Sequence, residues 1–170
     1  MFLCYASDRG AALVDRELYL PEEWAADGER RRAAAVPEGT EFATKPELAR
    51  RMIERALDAG VPVGWVAADE VYGNNSKLRQ WLEQRQLAYV LAVASDQRLC
   101  WPDREQRRVD AIAHSLPALA WKRVSAGSGS KGDRRYDWAL IPGGQQAGWS
   151  HGLLVRRSIE EQPEHAYYRF

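Results

Sequence analysis

Cysteine is scarce in this 170-residue chain, with Cys4 and Cys100 far apart. Two distant thiols exclude a disulfide-stapled scaffold and a cysteine-based zinc site; in a reducing compartment they read as free thiols. Histidine is almost as rare, and His114, His151 and His165 lack any metal-ligand spacing. No apolar run approaches the length of a membrane span. The first residues carry no basic-then-apolar leader, so the expected location is cytoplasmic with no membrane partner. There are no internal repeats. Net charge is also absent, with 24 Lys and Arg balancing 24 Asp and Glu. That balance argues against a protein that coats nucleic acid through bulk charge.

What is present is enough for one domain with a real core. Seven Trp and seven Tyr supply bulky packing material. The charge is unevenly spread: from Arg98 to Arg157 eleven Lys or Arg stand against five Asp or Glu. A basic segment beside an acidic remainder suits a protein that holds DNA with one part and metal with another. Scattered, solvated surface charge gives the same count and is the more ordinary explanation.

The chain is organised around Val61–Gly73, an apolar run that ends in Asp69-Glu70 and breaks at Tyr72-Gly73-Asn74-Asn75. It reads as a buried strand. Before it, Thr44-Lys45-Pro46-Glu47 is a capping box, followed by Leu48, Met52, Ile53, Ala56 and Leu57 at helical spacing up to Gly60. After it, Asn74-Asn75 can cap a helix from Ser76 to Gln86, with Leu78, Trp81, Leu82 and Arg85 on one face. Ala88–Ala94 follows as a second buried strand. Strand, helix and strand make a parallel α/β unit. Asp69 falls at the carboxyl end of its strand, where open α/β sheets place their chemistry. A hard cation binds one or two carboxylates plus water and substrate oxygens, and Asp69 is well placed for that. An Asp that bonds the turn amides after a strand would look the same. Glu70, adjacent on a strand, would face the other side.

The remaining elements read as follows. Phe2–Ser7 and Ala11–Leu20 form a hairpin about Asp8-Arg9-Gly10. A short helix lies near Glu29–Ala35, where Arg30-Arg31-Arg32 is a solvated cluster. A helical segment spans Arg104–His114. Strands cover Ala120–Val124, Tyr136–Ile141, Gly152–Arg157 and Ala166–Phe170. Ser125–Arg135 and Gly143–Gly148 are glycine-rich connections. The Ser125–Arg135 stretch lacks the spacing of a phosphate-binding loop and no helix follows it, so no nucleotide cofactor is expected. Lys131, Arg134 and Arg135 can touch a DNA backbone, and Lys122, Arg123, Arg156 and Arg157 extend that set. Trp101, Trp121, Trp138 and Trp149 have faces on which bases stack, although packing is the commoner use.

Several pieces resemble the DDE transposases of bacterial insertion sequences: Leu13–Trp24, Phe42–Leu48, Trp65–Gly73, Ala126–Gly132 with Tyr136–Trp138, and Leu154–Ser158 with Ala166–Tyr168. They occur in the family's order along nearly the whole chain. The resemblance implies a ribonuclease-H-like mixed α/β sheet at residues 1–95, and a β-rich insertion at 96–170. It implies cutting and joining of double-stranded DNA at element ends with Mg²⁺ or Mn²⁺ held by two Asp and one Glu. Asp69 matches the second Asp, as catalytic and metal-binding residue. The family's first Asp lies on a strand before the one matching Phe2–Ser7, and its Glu on a helix beyond the segment matching Ala166–Phe170. Glu160-Glu161 matches a loop at the insertion's exit and is surface charge. The expectation is therefore a central fragment with one of three catalytic acids, inactive alone. The alternative is a non-catalytic DNA-binding or dimerising module that inhibits or scaffolds full-length transposase, with a homodimer formed through an open strand edge.

Overall fold

The computed structural model describes residues 1–100, 105–129, 132–146 and 148–170, and the chain divides into two compact units at Val63/Gly64. The first unit opens with a hairpin, β1 (Phe2–Ser7) against β2 (Gly10–Arg16), with Ser7 opposite Gly10. β2 stops short of Leu20: the last regular pair is Phe2 with Arg16, and Glu17 N–H still donates to the Met1 carbonyl at 3.0 Å. Two short helices follow, α1 (Glu22–Ala26), unanticipated from sequence, and α2 (Gly28–Ala33), in which the Asp27 side chain accepts from Arg30 N–H. Arg30 of the expected solvated cluster lies over the Trp24 ring, and Arg31 donates to the Thr40 carbonyl.

α3 (Lys45–Asp58) starts where the capping box places it, with Glu47 N–H donating to the Thr44 hydroxyl. Its stripe Leu48, Met52, Ile53 and Ala56 is buried, and Gly60 leaves the helix at a φ of +76°, which costs a glycine nothing. Arg55 on this helix binds Asp15 and Glu17 of the hairpin segment, at 2.9 and 2.7 Å.

The second unit is built on a mixed six-stranded sheet. β3 (Val66–Ala68) is only three residues long, because Val61–Trp65 precedes it without strand pairing. α4 (Glu70–Gly73) and α5 (Ser76–Gln84) lead to β4 (Tyr89–Val93), which runs parallel to β3 as expected. The Asn75 side chain caps α5 by accepting from Leu78 N–H. A small hairpin follows, β5 (Arg98–Cys100) with β6 (Gln106–Arg108), and then α6 (Val109–His114). β7 (Lys122–Gly129), β8 (Gly132–Gln146), β9 (Trp149–Arg157) and β10 (His165–Arg169) complete the sheet in the order β3-β4-β10-β9-β8-β7, antiparallel from β4 onward.

The glycine-rich stretches expected as loops are instead long strand arms. Ser125 pairs with Arg135 and Ser128 with Asp133, across an irregularity where Gly127 has a φ of +80°. Backbone groups make an antiparallel ladder, so Gly and Ser extend it without side-chain packing and a bulge absorbs the mismatch. Likewise β8 continues past Pro142 through a register shift, carrying Gln145 opposite Ser150.

One face of the sheet carries Leu91 and Val93 of β4, Tyr167 of β10, Leu153 and Val155 of β9 and Ala139 of β8, all buried. Val93, Tyr167, Leu153 and Val155 cluster with Leu99 and with Val109, Ile112 and Ala113 of α6. Among the described residues, no helix is long and apolar enough to cross a membrane.

Candidate functional site

β3 is held at its start by Val66 N–H donating to the Ala88 carbonyl at 2.9 Å, and it ends at Asp69. The expected break after Asp69 is a four-residue helix, because Asp69 caps it immediately. Its backbone is extended, its Oδ1 accepts from Val71 N–H at 3.0 Å, and its carbonyl accepts from Gly73 N–H at 2.9 Å. Glu70 is therefore the first residue of α4 rather than a strand residue on the opposite face. The turn-amide reading of Asp69 is the one present here: its exposed carboxylate, just past the strand end, accepts from Val71 N–H.

The position is firmly tied to the sheet. Gly73 sits against the Ala92 carbonyl and Leu91, and Asn74 Oδ1 accepts from Ala94 N–H at 3.1 Å. Arg79 of α5 is buried and its guanidinium donates to the Gly73 carbonyl. Burial lowers the Arg79 pKa, Arg169 adds to that, and Tyr89 and Glu83 oppose it. Tyr89 donates to Glu83 Oε1 at 2.7 Å; burial first, and then that bond, push its phenol pKa up. Sequence reasoning missed Arg79. The available signal was its place three residues before Leu82, on the inward side of α5.

The structure does not gather the basic residues proposed from sequence onto one surface. Arg123 and Arg157 share one carboxylate: Arg123 Nε lies 2.9 Å and Arg157 Nη2 3.3 Å from Asp137. Arg123 first, then Arg157, hold the Asp137 carboxyl below the usual range. Arg135 pairs with Asp133 at 3.2 Å. Lys122, Arg134 and Arg156 fall on the opposite face by strand alternation, and Arg156 lies 4.5 Å over the Tyr136 ring. Lys131 and Trp101 lie outside the described residues. Trp121 packs against the core, as expected, but Trp138 stands half-exposed on the face away from α6.

A second cluster forms where β10 meets α6. The His165 ring stacks on Tyr167 and lies 5.8 Å from His114 and 6.1 Å from Trp121, over which Arg157 sits at 4.1 Å. Burial, then His114 and Arg157, lower the His165 pKa, against a bond that the ring donates to the Pro163 carbonyl. A histidine depressed in the folded state favours folding when neutral. Its contribution is full above the ordinary value near 6.5 and is lost as pH falls through the lower folded-state value. The melting temperature is expected to drop by a few degrees across that window, and His165→Phe to flatten the drop. An unchanged pH profile in His165→Phe would remove His165 as its source.

Beside α6, a cleft of about 570 Å³ is lined by Arg98, Arg107, Arg108, Ile112, Leu116 and Ile141. Two of its guanidiniums are already paired, Arg107 with Glu105 and Arg108 with Asp110. The Arg108 pair, with the Ala111 N–H, brings the Asp110 carboxyl down to about 2.

A family model described as DDE superfamily endonuclease matches residues 1–132, a span that includes Asp69 and ends at the start of β8. No curated protein and no solved structure matches the chain.

Proposed function

Because this chain belongs to the DDE superfamily of endonucleases, we propose that it is a section of an insertion-sequence transposase with a ribonuclease-H-like core. Asp69 is one of its metal-binding carboxylates, and the basic strands hold double-stranded DNA at element ends. The observation that carries this reading is the place of Asp69. It ends a strand of a parallel pair, inside the matched segment, on backbone locked by Gly73, Asn74 and Arg79. Divalent metal would supply orientation of the attacking oxygen and neutralisation of charge on the phosphate.

The residues present fit such a centre only in part. Among the described residues, no group of three His, Cys, Asp or Glu side chains comes together. Asp69 offers one carboxylate, and one of its oxygens is already bonded to Val71 N–H. A two-metal site needs more, so on this reading the chain is not expected to cut DNA by itself. With Mn²⁺ or Mg²⁺, the 170-residue chain is expected to leave supercoiled plasmid intact. A longer transposase containing it should nick the plasmid, and Asp69→Asn should abolish that nicking. Nicking that survives Asp69→Asn would remove Asp69 from the centre.

One observation favours a second reading. β1 pairs only with β2 among the described strands, which leaves a ladder edge for another copy or for full-length transposase. On that reading the chain is a non-catalytic binding or dimerising module. Its duplex binding should weaken with salt and persist in Asp69→Asn, and sedimentation should show a dimer. A salt-insensitive monomer would exclude it.

A further inference from the structure

Along β8 the usual sorting of large and small side chains is inverted. The buried positions are Asp137 and Ala139, while Tyr136 and Trp138 are half-buried and Leu140 is 64% exposed on the other side. Ordinarily the large apolar residues of an amphipathic strand face the core. Here the register places Lys122 of β7, Trp138 of β8, Arg156 of β9 and Ala166 of β10 in one cross-strand row. The neighbouring row holds Leu140, Leu154 and Tyr168.

The aromatic rings on this face touch each other. Trp138 lies 6.0 Å from Tyr168 at a tilt of 31°, and Tyr136 meets Trp138 edge-on at 6.5 Å. The Phe170 ring lies over Gly152, the one buried position among the described residues on this face of β7–β10. Charge on the face has one sign. Lys122, Arg134 and Arg156 alternate onto it, whereas the strand carboxylates Asp133 and Asp137 alternate away from it. The Arg156 guanidinium is stacked on the Tyr136 ring.

We propose that this open aromatic face of β7–β10 binds unpaired nucleotides of a DNA strand. Bases stack on Trp138, Tyr168 and Tyr136, and phosphates lie against Lys122, Arg134 and Arg156. Every base has a π-face, so stacking needs no sequence, and a row of cations between rings tracks the phosphates that connect stacked bases. A duplex hides its base faces and meets such a surface only through its backbone. The occupant follows from charge: an anionic chain with flat apolar groups complements a cationic surface of flat rings, and an acidic protein surface would leave the rings bare. That the strand is DNA rests on the proposed transposase reading. The aromatic residues lie beyond the segment matched by the family model.

The test is fluorescence anisotropy of the whole chain with labelled oligo-dT and with a duplex of equal length, in metal-free buffer over a salt series. The single strand is expected to bind more tightly. Trp138→Ala should weaken it about 5- to 100-fold, the range for loss of one base stack, while duplex binding changes little. Trp138→Phe keeps an aromatic face and should retain most of the affinity, which holds the test open if the alanine variant fails to fold. Arg156→Gln should lower the salt slope by about 0.7, the value for one phosphate contact on a single strand. Single-strand affinity unchanged in folded Trp138→Ala, or no preference over duplex, overturns the proposal. Salt-insensitive self-association relieved by Trp138→Ala also overturns it, making the face an interface between copies. Single-strand binding independent of Trp138, alongside Asp69-dependent nicking by the longer enzyme, removes this inference alone. Trp138-dependent single-strand binding without that nicking removes only the catalytic reading.

Discussion

Gly73→Ala is expected to destabilise the protein by about 3 kcal/mol or more, or to prevent folding, through overlap with main-chain atoms that cannot yield. A Cβ at this position would lie 1.8 Å from the Ala92 carbonyl oxygen and 2.8 Å from its carbon. No rotamer change relieves a clash with backbone, so α4 would have to lift off β4. Lifting it breaks the Arg79 bond to the Gly73 carbonyl, which leaves a buried guanidinium without that acceptor, and strains the Asn74 bond to Ala94. It also displaces Asp69, whose carbonyl accepts from Gly73 N–H. Gly28→Ala is the control, because nothing lies within 4 Å of its Cβ position. Urea unfolding of both variants measures the difference, and an equal midpoint for Gly73→Ala and the parent would refute the close approach.

The second effect is at Asp137. Its side chain is 12% exposed and bridges Arg123 and Arg157, so Asp137→Ala leaves two guanidiniums beside a nearly closed position. The expected cost is at most about 1 kcal/mol, because Arg123 is 60% exposed and water takes up the donors that the carboxylate releases. Asp137→Asn keeps an acceptor and should lose less. The carboxyl is depressed in the folded state, so its contribution is full above the ordinary value of 3.8 and disappears as pH falls through the lower folded-state value. Acid unfolding should therefore be less steep in Asp137→Ala than in the parent. Parallel acid limbs would show that the Arg pairs contribute nothing.

The parts of this molecule that were legible in its sequence are those fixed by near neighbours. Thr44 and Asn75 announce helices because a cap is settled within three residues, and both bonds are present. The stripe from Leu48 to Ala56 announces its buried face by period alone. Asp69 was legible as a strand end, since an apolar run stops there. Its helix was not, because four residues have no periodicity to read. The Ser125–Arg135 arm was illegible for a related reason: glycine and serine leave no alternation, and only the partner strand makes them a ladder. Arg79 ran against the rule that charge lies outside. Trp138 ran against the reverse rule, and sequence alternation cannot say which of two faces a helix will cover. Strand order was beyond reach altogether, being a property of distant pairs.

That strand order bears on how the protein is made. β10 lies between β4 and β9, with Tyr167 pairing both Val93 and Val155. During synthesis β4 emerges about seventy residues before the strand that will flank it, and until then it has only three-residue β3 beside it. The sheet cannot close progressively along the nascent chain; its middle is installed late. Such long-range pairing folds slowly and exposes ladder edges meanwhile, which invites capture by holdases or by other nascent copies. A ribosome stalled before His165 would present β4 and β9 as two raw edges, so the yield of this protein should depend on the pace of its translation as much as on its finished stability.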